Sequence, residues 1–371
     1  MKYEFTNETR KVNNHILHRI KALKDFGDVK KGDLGGWLEK ESNLSQEGDC
    51  WVYSDAMVFG KAKVYGNAEV YGYTEVYGNA EVYGNARVYG YAEVYGNAKV
   101  YDGADVGGTA KVYGNAQLYE IAWVYDGAQV SDDAQVYGHA LVYEEASIEG
   151  TAKVYGHALV YGSSKVYDSS KVYDTAVILE SAEVYGHAEV YGKASIGDAA
   201  QVYGKASIRG TTKVYGHAKV YGATWVSGDA QVYGNAQVFD EASIWGNAQV
   251  CDEAFIGDTA KVYDNAQVYD YAQVYGSSEV HGTAVIFGRA KIYGNAQVCD
   301  EASIEGTAQV YDNARVYGDA RVSGDAQVCG NAQVLDDAVV CDEAIVRGNA
   351  VVTDNAVVSG KVEIFDDCRS I

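Results

Sequence analysis

The sequence predicts an all-β protein in which a small N-terminal cap precedes a long parallel β-solenoid, and three observations support this. A six-residue unit of the form Val-Tyr-Gly-Asn-Ala-x repeats 53 times from Val52 to Arg369 without an insertion or deletion. Such a strict short period is typical of stacked repeat architectures. The 371 residues include no Pro, as expected where strands donate hydrogen bonds to neighbours. Gly, Asp or Glu fills the third position of every unit except the first.

Alternation within each unit predicts which side chains face the core. Side chains alternate across a strand, so in Ala-x-Val-Tyr the Ala and Val share one face, while x and Tyr share the other. The Ala/Val face never carries a charge, and we expect it to line the interior. The Gly-Asn pair breaks the alternation, and both residues tolerate a left-handed backbone. Each unit is therefore one short strand followed by one tight corner.

The six-residue unit resembles the hexapeptide-repeat family, whose pattern is an aliphatic residue followed four positions later by a small one. This resemblance implies a single-stranded left-handed parallel β-helix with the rare left-handed crossover. It also implies triangular coils of three units each, so that the 53 units would make between 17 and 18 coils. Members of this family that transfer acyl groups work as trimers, and a homotrimer is therefore the implied assembly.

The resulting 18-residue coil makes its own prediction about neighbours. Residues 18 apart should stack on adjacent strands, where opposite charges and aromatic pairs are favourable. Lys63, Glu81 and Lys99 alternate in sign at this spacing, and so do Glu69, Arg87 and Asp105. Tyr recurs eight times at the same spacing, at positions 65, 83, 101, 119, 137, 155, 173 and 191.

Residues 1–51 differ in kind from the repeats at 52–371, and we predict two domains with that boundary. Asn13-Asn14 is typical of a hairpin turn, and Ile16 to Leu23 is expected to return as a strand, with a short helix as the alternative. Lys24 to Trp37 is predicted to be a Gly-rich loop in which Gly35-Gly36 makes a turn. Solenoids need their open ends covered, so this first domain is predicted to be a cap.

The leader also carries a resemblance of its own. The run from Asp25 through Gly36-Trp37 and Leu44-Ser45 to Gly48-Asp49-Cys50-Trp51 is similar to that of uncharacterised hexapeptide-repeat proteins of phages, prophages and enteric bacteria. Some of those proteins carry an acyltransferase label by fold analogy. The resemblance implies a phage- or prophage-related product, and it keeps an acyltransferase with an acetyl-CoA-type donor as an alternative.

The net charge and the cysteine spacing limit the partners and the locations that we expect for this chain. A net charge of −22 opposes direct binding to nucleic acid or to an anionic membrane. Met1 to Thr6 has no apolar run, so neither a signal peptide nor a membrane span is expected. The six cysteines, including the inward-facing Cys368, show no paired spacing. They predict no disulfide framework, and a cytoplasmic location, or a virion component if the chain is phage-encoded.

Two groups of residues are candidate sites. His139 and His157 lie at corners one coil apart and are weak catalytic candidates, whereas two imidazoles without a third ligand predict no metal. The second group is an outward apolar patch on the order of a few hundred Å², a size that soluble monomers rarely expose without use. It comprises Trp123, Tyr125, Leu141, Tyr143, Leu159, Tyr161, Val177 and Leu179.

These observations favour a non-enzymatic rigid solenoid with a structural or binding role, which self-associates through its apolar outer faces. No cofactor is expected, and a protein or carbohydrate ligand is an open possibility for the patch. The enzyme question stays open, with acyl transfer as its alternative. A further alternative is an acidic rod that imitates nucleic acid to block a host DNA-binding protein, although Gln and Tyr on the outer faces dilute the charge.

Overall fold

The computed structural model describes residues 1–365 of the chain. Their regular elements are β-strands and one short 3-10 helix, and the strands of the repeats pair in parallel, so the predicted all-β solenoid class is confirmed. The chain divides into two compact units, Met1–Gly186 and a second that begins at His187. The end of the predicted repeat domain, including Cys368, lies outside the described residues.

The cap begins with an antiparallel hairpin. Strand β1 (Tyr3–Val12) pairs with β2 (His15–Ala22), and Asn13 in the connecting turn has a left-handed φ of 54°. Asn tolerates this conformation better than most residues with a Cβ. The predicted turn and returning strand are therefore confirmed. A 3-10 helix, Glu41–Asn43, follows later in the cap.

One prediction for the cap is wrong. The Gly-rich loop ends earlier than expected, because Leu34–Leu38 forms strand β3, which pairs with β2 and with the first coil. Gly35 and Gly36 are strand residues and make no turn. They allow close packing: a Cβ on Gly35 would lie 2.6 Å from the Trp51 ring, and one on Gly36 would lie 2.5 Å from the Ala56 carbonyl oxygen.

A buried cation holds the cap together, and backbone groups of the cap donate hydrogen bonds to the first coil. The Lys2 ammonium is buried, with 1% of the residue exposed, and its Nζ donates to the Cys50 carbonyl oxygen at 2.8 Å and lies 3.2 Å from Cys50 Sγ. A buried cation is tolerated only with such partners. Backbone N–H groups of the cap also bind first-coil carbonyls at 2.9–3.1 Å, from Trp37 to Ala56, Glu39 to Val58 and Ser45 to Val64.

Short strands recur every six residues from Trp51–Val52 to Glu363–Phe365, which makes 53 in the described part of the chain. Each spans two residues except Ile345–Arg347 and Glu363–Phe365, which span three. Within the first unit, strands that are three units apart in sequence pair in parallel, as Lys63 does with Glu81. The same offset holds within the second unit, so the predicted coil length is confirmed.

Three parallel sheets run along the first unit. Sheet 1 begins with Trp51–Val52, sheet 2 with Met57–Val58 and sheet 3 with Lys63–Val64. Sheet 2 also includes the three cap strands. Because each sheet shows every second side chain to solvent, the unit has three outer faces on which rows of residues are stacked along the coils.

The core is made of small side chains. Ala and Val at the inward positions are fully buried, as Ala158 and Val160 are, and burying each Val contributes about 1.5–3 kcal/mol. A few Ser and Thr replace Ala, and within residues 1–365 their hydroxyls are hydrogen-bonded except at Thr224, whose Oγ1 is buried without a partner. The hydroxyl of Ser164, for example, donates to the Tyr161 carbonyl oxygen at 2.8 Å. The predicted inward and outward rows are thus confirmed.

The corners explain the abundance of acidic residues. The third residue of a unit has a left-handed backbone, with φ of 74° at Gly138 and 57° at Asp132. Residues with a Cβ pay roughly 1–2 kcal/mol for this conformation. At Asp132 the carboxylate offsets part of that cost, since its Oδ2 accepts a hydrogen bond from the N–H of Gly150 in the next coil at 3.1 Å. Some of the acidic residues are therefore explained by their structural role at the corners of the coil.

Candidate functional site

The apolar patch lies entirely on sheet 1 of the first unit. Trp123 pairs with Leu141, Leu141 with Leu159, and Leu159 with Val177, so that four apolar side chains form one outer row. Directly behind this row, the core is sealed by fully buried residues such as Val142. The outward side chains of the patch are therefore not needed to complete the core, and the fold does not require them to be apolar.

A second row of the patch runs beside the first. The rings of Tyr125 and Tyr143 stack at 5.2 Å and those of Tyr143 and Tyr161 at 4.9 Å, and the rings of both pairs are nearly parallel. Partial burial in this stack raises the pKa of the Tyr125 and Tyr143 phenols, which stay neutral across the physiological range. Trp123 remains 43% exposed, and the patch presents ring edges and aliphatic groups to solvent.

The patch has a polar boundary on its cap side. Arg87 donates two hydrogen bonds, of 2.8 and 2.9 Å, to the carboxylate of Asp105, whose side chain is almost completely buried. In the same coil Gly107 has no side chain, and the Tyr89 ring lies over it, where a Cβ would come within 2.3 Å of the ring. One tyrosine ladder ends at this coil, and the ladder of the patch starts at Tyr125.

His139 and His157 border the patch at the corner between sheets 3 and 1. Their rings stack at 4.8 Å, as the 18-residue spacing predicts, and both side chains are exposed. Ile121, 51% exposed, precedes them in the same row. The described residues contain no group of three or more His, Cys, Asp and Glu that could hold a metal ion. A neutral imidazole has one nitrogen that donates a hydrogen bond and one that accepts a hydrogen bond or a proton.

A second aromatic cluster lies in the second unit, and its cation was not anticipated from the sequence. The guanidinium of Arg209 lies 4.5 Å from the ring centre of Trp225, a cation–π contact. Trp225 contacts Trp245, which stacks on Tyr263 at 4.3 Å. The 18-residue spacing alone would have found this cluster, because Arg209 lies two positions after Ser207, which pairs with Trp225.

Two further observations concern the cysteines and the helices. Five cysteines lie in the described part of the chain, and all five are free thiols. Burial raises the pKa of the Cys50 and Cys251 thiols, which disfavours the reactive thiolate. Across residues 1–365, no helix has the length and apolar character needed to cross a bilayer.

Comparison with known proteins finds similarity over part of the repeat region. The family model for the YdcK beta solenoid repeat matches residues 308–325 and 326–342, and each stretch is about one structural coil long. A stretch of 40 residues is 50% identical to the Escherichia coli (strain K12) protein named "Uncharacterized acetyltransferase YdcK", covering 11% of this chain and 12% of that protein. The repeat, the match and the parallel solenoid fit a hexapeptide-repeat-like family. The chain is a β-solenoid repeat protein, and it is similar to YdcK over 40 residues.

Proposed function

We propose that the chain is a non-enzymatic scaffold whose copies pack side by side through the apolar patch on sheet 1. One observation carries the proposal. Four aliphatic or indole side chains and a tyrosine stack lie in two adjacent rows on a single flat face, outside a core that is already sealed. The leader resemblance supports a place for this scaffold among phage- or prophage-encoded products.

A second copy of the chain is the partner that fits this face best. Side chains in the patch repeat at the strand spacing of about 4.8 Å, and only a partner with the same spacing can interdigitate with every rung. An identical face supplies that spacing, so a self-complementary contact is available without new geometry. The rows of Leu141 and Leu159 lie at the middle of the patch and are expected to form its best-packed contacts.

Energetics require the contact to extend beyond the patch. Burial of apolar surface contributes about 25 cal/mol per Å², before the costs of association are subtracted. A standard interface buries about 800 Å² on each partner, which exceeds a patch of a few hundred Å². The tyrosine ladders along the face supply further area, and the patch sets the register of the two copies.

Multi-angle light scattering of two double variants tests the proposal. Leu141→Glu with Leu159→Glu places adjacent charges in the patch, and we expect the mass to fall to that of the monomer while the circular dichroism spectrum is unchanged. Gln117→Glu with Gln135→Glu is the matched control, since these residues are also paired neighbours with the same charge change, on sheet 3. An unchanged mass in the leucine variant, or an equal loss in both, would contradict the proposal.

Acyl transfer is the second candidate function. The name of the E. coli relative favours it, as does the stacked histidine pair beside an apolar surface. In this mechanism an imidazole takes a proton from an acceptor hydroxyl or amine, and the acceptor atom bonds to the carbonyl carbon of a thioester. The C–S bond then breaks, and the thiolate receives the proton.

Release of thiol from acetyl-CoA in the presence of small amine and hydroxyl acceptors tests this second function. Acyl transfer predicts a product whose formation falls at least ~100-fold in His139→Ala with His157→Ala, the usual scale for removal of a general base. The scaffold function predicts no transfer in either protein and an unchanged mass for the histidine variant. Transfer that depends on His157 would replace the scaffold function by the enzyme.

A further inference from the structure

A polar groove lies in the first unit between the cap and the corner that joins sheets 3 and 1. Its volume is about 730 Å³, within the range of roughly 300–1,000 Å³ typical of ligand sites. Asp28 of the cap closes one end, and Ile121 lies at the other. The corner residues between them, beginning with Asp49, follow one another at the strand spacing, so the groove is about 19 Å long.

The floor of the groove contains an interrupted amide ladder. Asn67 Nδ2 donates to Asn85 Oδ1 at 3.1 Å, but the next corner residue is Gly103, which has no side chain to continue the row. Within the described residues, Asn85 Nδ2 consequently donates no hydrogen bond. Both N–H groups of the Asn85 side-chain amide therefore lack an acceptor among the described residues, at the point in the row where Gly103 has no side chain.

The corner between sheets 2 and 3 provides a direct contrast. There Asn97 accepts a hydrogen bond from Asn79 at 2.8 Å and donates one to Asn115 at 2.9 Å. That ladder continues without a gap, and its amides are satisfied by one another. Open donors mark the end of an amide ladder, as at Asn265 of the second unit, which accepts from Asn247 at 2.9 Å and donates no side-chain hydrogen bond to a described residue; at Asn85 this ladder end lies in the groove.

Charge in the groove excludes several ligand classes. Asp28, Asp49 and Glu69 line it, together with Arg87, whose guanidinium is already paired with Asp105. The resulting negative potential repels phosphates and other anions. A metal ion is a poor fit as well, because no cluster of three or more potential ligands exists among residues 1–365. An apolar small molecule would leave these polar groups without partners.

We propose that this groove binds a neutral polyhydroxylated chain, an oligosaccharide. Hydroxyl groups both donate and accept, so they can pair with the Asn85 amide and with the carboxylates of Glu69 and Asp49 at the same time. A pyranose ring in an extended chain is comparable in length to one strand spacing, and successive sugars would therefore meet successive rungs. Ile121 supplies an apolar contact for a sugar face at the end of the groove.

A glycan microarray tests the proposal, with the fluorescently labelled full chain as the probe of neutral and anionic oligosaccharides. We expect retention of neutral chains of several sugars, and titration calorimetry with a retained sugar should give about 10-fold weaker binding for Asn85→Ala, the scale of one lost hydrogen bond. Asn97→Ala is the matched control, and its affinity should stay within about twofold of the parent. Glu69→Gln, which keeps the shape of the side chain, should also weaken binding.

Three results would overturn this inference: retention of no neutral glycan, a preference for sulfated or uronate-containing chains, and equal weakening by Asn85→Ala and Asn97→Ala. Melting curves show whether either alanine variant has lost its fold, and Glu69→Gln decides the question if one has. The groove and the apolar patch are independent. Leu141→Glu with Leu159→Glu should leave glycan binding unchanged, and Asn85→Ala should leave the mass in solution unchanged.

Discussion

Sheets 1 and 3 of the first unit share a backbone and a core but differ in what they show to solvent. In sheet 3 the outer row carries Lys99, Gln117, Gln135 and Lys153 beside an unbroken tyrosine ladder. Over the coils of the patch, sheet 1 carries Trp and Leu in that row instead. The inward Ala and Val rows are fully buried behind both faces.

This difference shows that the inward and the outward side chains have separate roles. The inward rows and the corners determine the coil, and they are the same wherever the repeat continues. The outer rows contribute little to the coil beyond stacking and tolerate almost any side chain, so they are free to acquire a partner. Sheet 3 uses this freedom for charge and solubility, and sheet 1 uses it for an apolar surface.

The largest expected effect lies in the inward row. Replacing Ala158 behind sheet 1, or Ala152 behind sheet 3, with Leu should destabilise the protein by ~1–3 kcal/mol or more, because both are fully buried and overpacking is costly. Urea unfolding followed by circular dichroism measures this. Equal losses would support a shared core, whereas a large loss at one site alone would mean that the two sheets do not have equivalent interiors.

The corner between the two sheets should show the next effect. Gly138 has a φ of 74°, and a Cβ there would lie 2.8 Å from the Gly156 nitrogen, so Gly138→Ala should cost about 1–2 kcal/mol. Gly138→Asp should cost less, since its carboxylate can accept the N–H of the next coil as Asp132 does. Thermal melting of both variants measures the difference. A more stable alanine variant would refute the role assigned to corner carboxylates.

Alkaline titration of the tyrosine phenols tests the burial of the ladder in sheet 3. The pKa of Tyr119 in sheet 3 is raised from its ordinary value of 10.0 to about 12. Burial is the largest cause, and the neighbouring phenols of Tyr137 and Tyr101 contribute less. The folded state holds this proton more tightly than the unfolded state. The associated stability is thus complete below about pH 10 and is lost as the pH rises through about 12.

The ultraviolet absorbance of phenolate, measured together with circular dichroism, checks this expectation. Tyr119, and the other ladder tyrosines whose pKa is raised by burial, should ionise late and in step with unfolding. Ionisation of all tyrosines at the ordinary pKa, with the solenoid intact, would contradict the burial of the ladders.

The smallest effect should come from the outer row of sheet 3. Lys153→Glu changes a partly exposed side chain and should shift the free energy of unfolding by under about 0.5 kcal/mol. Differential scanning calorimetry against the parent measures it. A loss comparable with that of Ala152→Leu would mean that the outer rows support the coil after all.

The repeat made most of the fold predictable. With a fixed coil of three units, the neighbours of Tyr83 or His139 follow from arithmetic, and both stack as expected. Non-repeating contacts were not accessible in this way. Position 35 has no room for a Cβ because the Trp51 ring lies against it, and a cap loop with Gly27 and Asp28 lines the groove at Asn85. These features depend on packing between segments with no common period.

Under the proposed function, sheet 1 of the first unit, and not sheet 3, faces a second copy. Single cysteines at Leu159 and at Gln135, treated with a short bismaleimide and compared with the parent protein on a denaturing gel, test it most directly. We expect a crosslinked dimer for Leu159→Cys above the background of the native thiols, and none for Gln135→Cys. Crosslinking through Gln135→Cys, or through neither residue, would contradict the account.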